Sequence, residues 1–182
     1  TGEPTSIEEE QATDTETQTV KTTHFVELIR FLHNSNRSVS KGILNAMRLG
    51  EFEANDLLDN QQLDFTPLVA ALTLDSHITE GTVREFIAEG ADARASSGLH
   101  QAIASLDSQD MLQILDVLSQ SGYNAAQQVD GNSLAEHAFM QGNKTLLTWL
   151  KKQDIRLGPT VTMLEKNNDG QLQRFEMPVE EF

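Results

Sequence analysis

Polar and apolar positions divide the chain into three unequal parts. Residues 1–23, TGEPTSIEEEQATDTETQTVKTT, hold almost no large apolar side chain and carry six acidic residues against one lysine. Such a segment buries too little surface to offset chain entropy, which predicts a flexible acidic arm or linker. From His24 the pattern changes. HFVELIRFLHN sets Phe25, Leu28, Ile29 and Leu32 on one helical face, and the polar NSNRS at 34–38 ends that helix. Four later segments share a single order: an apolar or small residue, an alanine three places on, then a larger apolar residue. Ile43, Leu68, Leu99 and Ala135 take the first place. Ala46, Ala71, Ala102 and Ala138 take the second, and Met47, Leu72, Ile103 and Phe139 the third. A second apolar segment follows each, through Leu57/Leu58, Val83/Phe86/Ile87, Met111/Ile114/Leu115/Leu118 and Leu146/Leu147/Leu150. Paired helical segments recurring at about 33 residues predict a stack of helix pairs, each covering its neighbour's apolar face.

Local chemistry supports these elements. Thr66 precedes Pro67, so the threonine can cap a helix whose first position tolerates proline, where no backbone donor is lost. Gly90 and Gly122 suit the left-handed turn that closes a second helix. An alanine at each seam lets neighbouring units approach closely, whereas a larger side chain would overpack the contact.

TPLVAAL followed by VREFIAEGADA (83–93) resembles the ankyrin repeat, whose first helix opens Thr-Pro-Leu-His and whose second ends Gly-Ala-Asp. Leu99-His100 keeps the Leu-His step, SQSGYNA (119–125) stands where Gly-Ala-Asp belongs, and DGNSLAEHAFMQGN (130–143) keeps the Asp-Gly start and the inter-helix Gly142. The resemblance covers residues 38–155 and is most specific over Thr66–Ala93. The first unit lacks the Thr-Pro start, and LDSHITEGT (74–82) and SLDSQDM (105–111) lengthen the inter-helix connections. The expected fold is all-α: an ankyrin-like solenoid over 24–157, with residues 24–34 as an N-terminal cap and about four repeats. Residues 158–182 form a C-terminal extension that is not another repeat.

That extension contains EKNNDGQLQRFE (165–176), which supports two readings. Glu165, Asn167, Asp169, Gly170 and Glu176 approximate a calcium loop, although Glu165 replaces the expected Asp and Pro178 would break an exiting helix. Asp169-Gly170 is also a two-residue turn signal, and pairing about it sets Leu164 opposite Phe175 and Glu165 opposite Arg174 in a β-hairpin.

Composition narrows the function. The formal net charge of −15 argues against binding a phosphate backbone and admits a basic protein partner. With no cysteine, a disulfide framework and thiolate metal sites are excluded, and a cytoplasmic and a periplasmic setting both remain compatible. Thr1 in place of Met implies a trimmed start, so a membrane association requires an anchor upstream. The histidines at 24, 33, 77, 100 and 137 make no ligand pair at helical spacing, and no phosphate loop or nucleophile elbow is present. No catalytic residue, metal or cofactor is assigned. His100 is expected to bond backbone as a structural residue.

Proteins that resemble this one bind other proteins through inter-repeat turns and the exposed edge of the first helices. Carried onto this chain, the partner-binding residues are Leu63, Phe65, Arg94, Ser96, Asp130 and Asn132 in the turns. On the first helices they are Arg48, Thr73, Leu74, Ser105, Met140 and Gln141. Phe65 and Leu74 are either exposed interface anchors or core residues of an irregular stack. The function expected is a non-enzymatic adaptor or inhibitor. Two alternatives stay open: the exposed domain of an anchored protein with 1–23 as stalk, and a calcium-responsive binder.

Overall fold

The computed structural model describes residues 6–59, 62, 64–155, 161–166 and 172–177; for residues 6–14 and for both strands it describes the backbone alone. Among these residues there are eight helices and two strands. The helices are α1 Ser6–Asn34, α2 Val39–Arg48, α3 Pro67–Leu74, α4 Glu80–Ala88, α5 Ser97–Ala104, α6 Met111–Gln120, α7 Leu134–Met140 and α8 Lys144–Lys152; the strands are β1 Val161–Lys166 and β2 Leu172–Met177. The described core is all-α.

Helix starts are set by short polar side chains. Ser38, Thr66, Thr79, Ser96, Ser133 and Asn143 each accept from a backbone N–H inside the helix they precede. Ser133 and Glu136 complete a reciprocal capping box. Pro67 opens α3 as expected. Four helices end alike: Glu51 N donates to Ala46 O, Ala91 N to Phe86 O, Tyr123 N to Leu118 O and Asn143 N to Ala138 O. The glycine before each donor, Gly50, Gly90, Gly122 or Gly142, has φ of 79°, 97°, 106° or 66°, the left-handed conformation that a side chain disfavours.

α2, α3, α5 and α7 lie in a row in which each touches the next, α4 packs beside α6, and α7 beside α8. One apolar cluster runs through all eight helices. The four alanines Ala46, Ala71, Ala102 and Ala138 are all buried, as are Ile43, Leu68, Leu99, Ala135, Met47, Leu72 and Ile103. Phe139 is only half-buried. The connection between α3 and α4 (75–79) and that between α5 and α6 (105–110) are longer than the α7–α8 connection (141–143), as the sequence implied.

Four features depart from or add to expectation. First, the helix expected to begin at His24 begins at Ser6, so most of the predicted arm is helical. No glycine or proline interrupts Ser6–Asn34. Thr19, Thr22 and Thr23 return their hydroxyls to the carbonyls four residues back, at 2.8–3.0 Å. Lys21 bonds both oxygens of Asp56 at 3.0 Å and Gln18 donates to Leu57 O, tying this part of the helix to the body.

Second, residues 49–59 form no second helix. Leu58 is buried, but Leu57 is half-exposed. Leu58 N donates to Phe65 O, so the chain returns through a turn rather than a helical repeat. α2 itself ends as α4 and α6 end, and it touches α4 as well as α3. The alanine alignment groups α2 with the first helices, and its ending is shared with the first helix α7 as well as with α4 and α6.

Third, α1 crosses α2 at close range, since a Cβ on Gly42 would collide with Leu32. Fourth, β1 and β2 pair antiparallel with Leu164 opposite Arg174 and Glu165 opposite Gln173, one residue away from the expected register. Residues 167–171 separate the strands; an odd connection shifts every partner by one relative to a two-residue turn. Asn167, Asp169 and Gly170 lie outside the described residues.

Ala102→Leu is expected to cost about 1–3 kcal/mol in urea denaturation, because Ala102 is almost fully buried on α5, which packs between α3 and α7. Ser105→Leu, at an exposed position, should shift stability by less than about 0.5 kcal/mol. Equal costs would show that α3, α5 and α7 do not meet closely at Ala102.

Candidate groove across α1, α3 and α5

Two hollows adjoin on the side where α3 and α5 expose their edges. The larger, about 370 Å³, lies between α3 and α5 and is lined by Phe65, Val69, Thr73, Gly98, Gln101, Ala102, Ser105 and Gln62. Helical periodicity explains its walls. Val69 and Thr73 are one turn apart on α3, and Gly98, Gln101, Ala102 and Ser105 share one face of α5. Gly98 and Ala102 leave the floor low, so the alanines that permit close packing also open the surface above it. The smaller hollow, about 190 Å³, lies between α1 and α3; Thr22, Phe25, Val26 and Ile29 form one wall, Leu58, Asp59, Gln62 and Phe65 another, and Leu74 closes it. Gln62 and Phe65 belong to both.

The residues inferred from the sequence separate into groups. Thr73 and Ser105 line the larger hollow, Leu74 the smaller and Phe65 both. Phe65 is 4% exposed and sits edge-on to Phe25 at 6.0 Å between ring centres. It is therefore a core residue whose rim reaches the floor of the groove, which corrects its assignment as an exposed anchor. Leu74 is 42% exposed, so it is not a core residue. Arg94, Ser96, Asp130 and Asn132 build turns. Arg94 pairs with Asp92 at 2.6 Å, Ser96 caps α5, and Asp130 accepts from Ser97 Oγ at 2.6 Å. Asn132 and Val129 exchange two backbone bonds. Arg48 lies apart from the groove, bound to Glu85 at 2.9 Å and Glu89 at 2.8 Å on α4. Met140 and Gln141 are exposed at the end of α7 and line neither hollow. Leu63 falls outside the described residues. Glu165 and Glu176 lie in strands rather than in the helices that flank a calcium loop.

Gln101 and Val26 were not singled out from the sequence, and Ile29 was placed only on the apolar face of its helix. Gln101 stands one turn before Ser105, so extending that residue's face along α5 would have found it. Val26 flanks the apolar stripe of α1, and only the position of α3 makes it a wall.

Two polar clusters hold the loops around this surface. Asp75, at the end of α3, is 8% exposed. Its Oδ2 accepts from Ser40 N at 2.9 Å, Ser40 Oγ at 2.6 Å and Ser38 Oγ at 2.9 Å; Oδ1 accepts from His77 N at 3.0 Å. Burial opposes the ionised form, but these four donors together outweigh it and hold the carboxyl below its ordinary value. The second cluster joins α5 to the turn before α7. His100 is fully buried, with Nε2 2.9 Å from Gln127 O and Nδ1 2.6 Å from the Tyr123 hydroxyl. A carbonyl only accepts, so Nε2 carries the proton and Nδ1 accepts from Tyr123. The expected structural role of His100 holds, and Tyr123 adds a bond the sequence did not announce. Burial pushes the Tyr123 phenol well above its ordinary range, keeping it a donor. His137 stacks 6.2 Å from His100 with a buried Nε2 that has no partner among the described residues. Burial lowers the pKa of both imidazoles, and His137 lowers that of His100 further.

No family model matches the chain, and neither a curated protein nor a solved structure is similar to it.

The sign of the pH dependence follows from these shifts. With folded pKa values below the ordinary 6.5, both histidines hold protons more tightly in the unfolded chain. Stability is therefore full above 6.5 and falls as pH drops from there toward the folded values. Asp75 adds stability above the ordinary 3.8 that is lost as pH falls through its lower folded value. Thermal melting should thus decline in two stages, and His137→Gln should flatten the upper one. A melting temperature constant from pH 7 to pH 5 would contradict the burial of both rings.

Proposed function

We propose that the chain is a non-enzymatic protein-interaction module, an adaptor or inhibitor. In this reading it is an ankyrin-like stack of helix pairs closed by a C-terminal hairpin. The row α2–α3–α5–α7 with α4 beside α6 supports the stacked arrangement. Left-handed glycines that recur after α2, α4, α6 and α7 are in keeping with a repeated helix–turn unit. The observation that carries the functional reading is the pair of adjoining hollows that meet at Phe65 and Gln62. They open on the exposed edge of α3 and α5, where the residues Thr73, Leu74 and Ser105 had been assigned from sequence.

The partner is a protein, and the charge of −15 favours a basic one. Thr73 and Ser105 are exposed, so long charged side chains can be placed there without disturbing the core. The double variant Thr73→Arg, Ser105→Arg should melt like the wild type and retain at least about tenfold less partner in affinity capture from the source cells. Undiminished capture by a folded variant would exclude the α3–α5 hollow as the binding surface.

A further inference from the structure

We infer that the α1–α3 end of the groove receives a cationic, amphipathic segment of a partner protein, with one leucine-sized side chain seated between Val26 and Leu74. This deepens the proposed function and rests on it.

Size, lining and charge each contribute. Sites for whole small ligands run to about 300–1,000 Å³; the α1–α3 hollow, at about 190 Å³, is the size of a side-chain pocket. Its α1 wall, Thr22, Phe25, Val26 and Ile29, bears no charge. Phe25 and Phe65 are buried and fix the floor, while Val26 at 48% and Leu74 at 42% exposure form an unfilled rim. An amphipathic helix presents apolar side chains every three or four residues to such a rim.

The facing wall sets the sign of the partner. Residues 49–66, which contribute Leu58, Asp59, Gln62 and Phe65 to the hollow, include five acidic residues and no lysine or arginine, Asp56 among them being paired with Lys21 of α1. Elsewhere Arg48, Arg84 and Arg94 are each held by carboxylates. α3 and α5, which floor the rest of the groove, carry no acidic or basic residue apart from His100, which is buried and neutral. A lysine- or arginine-bearing segment is thus drawn toward the acidic wall and meets no cation along the floor.

The test uses a synthetic helix of about 15 residues, long enough to be helical, with Leu on one face and Lys on the other. Two controls accompany it: the same composition scrambled, and the same pattern with Glu for Lys. The full chain should bind the patterned Lys peptide at least about tenfold more tightly than either control, in titration calorimetry at physiological salt. Val26→Gln and Leu74→Gln, both at half-exposed positions, should each remove about tenfold of that affinity while melting as the wild type does. Equal binding of patterned and scrambled peptides, or by wild type and variants, reduces the interaction to diffuse charge attraction and overturns the assignment. Self-association of the chain that either variant abolishes gives the hollow to a second copy and overturns it too. Partner capture sensitive to Thr73 and Ser105 would survive both outcomes, since it reads the α3–α5 hollow.

Discussion

Helices of seven to ten residues cannot stand alone in water, and seven of the eight described here are of that length. Their stability comes from contact with one another, so the distance of closest approach governs everything else. The alanines at 46, 71, 102 and 138 set that distance. Each is almost fully buried, and each leaves room for the neighbouring backbone where a leucine would not fit. The same economy of side-chain volume shapes the surface. Gly98 and Ala102 keep the floor between α3 and α5 low, so tight packing below and a hollow above have one cause.

Loops in such a stack have no sheet to join and must satisfy their polar groups from their neighbours. The chain does this with a few concentrated acceptors. Asp75 collects donors from the start of α2 and from its own turn. Asp110 accepts from Glu80 N, Ser108 Oγ donates to Ile78 O, and Asn143 Nδ2 donates to Ala104 O. Each bond joins one inter-helix connection to the next along the row. His100 plays a similar part on the opposite side, linking α5 to Tyr123 and Gln127. These bonds fix the relative height of successive units, which the non-directional apolar contacts between them leave loose.

α1 departs from this scheme. It is three times as long as its neighbours, it lies across α2 at the Gly42–Leu32 contact, and its Thr-rich first half is held by Lys21–Asp56 and Gln18–Leu57. It covers the end of the row beside residues 49–59, which run as turns. Val26, Leu57 and Leu74 are left half-exposed there beside an acidic wall. The groove is therefore a consequence of how the row of helices is ended.

Much of this was decided within the sequence. Thr66-Pro67, Ser96, Ser133 and the glycines at 90 and 122 fix where helices begin and end, since capping and left-handed turns depend on neighbours within a few residues. The buried alanines were legible through periodicity alone. Other outcomes depended on residues far apart in the chain. Whether Phe65 faces solvent depended on Phe25, forty positions earlier, and the partners of Gln18 and Lys21, Leu57 and Asp56, lie more than thirty positions on. The hollow between α1 and α3 exists only because two segments that share no pattern come to lie side by side. Local hydrogen bonding and helical period are written in short windows of sequence, while exposure and cavity shape belong to pairs of distant segments, and only the folded chain brings those together.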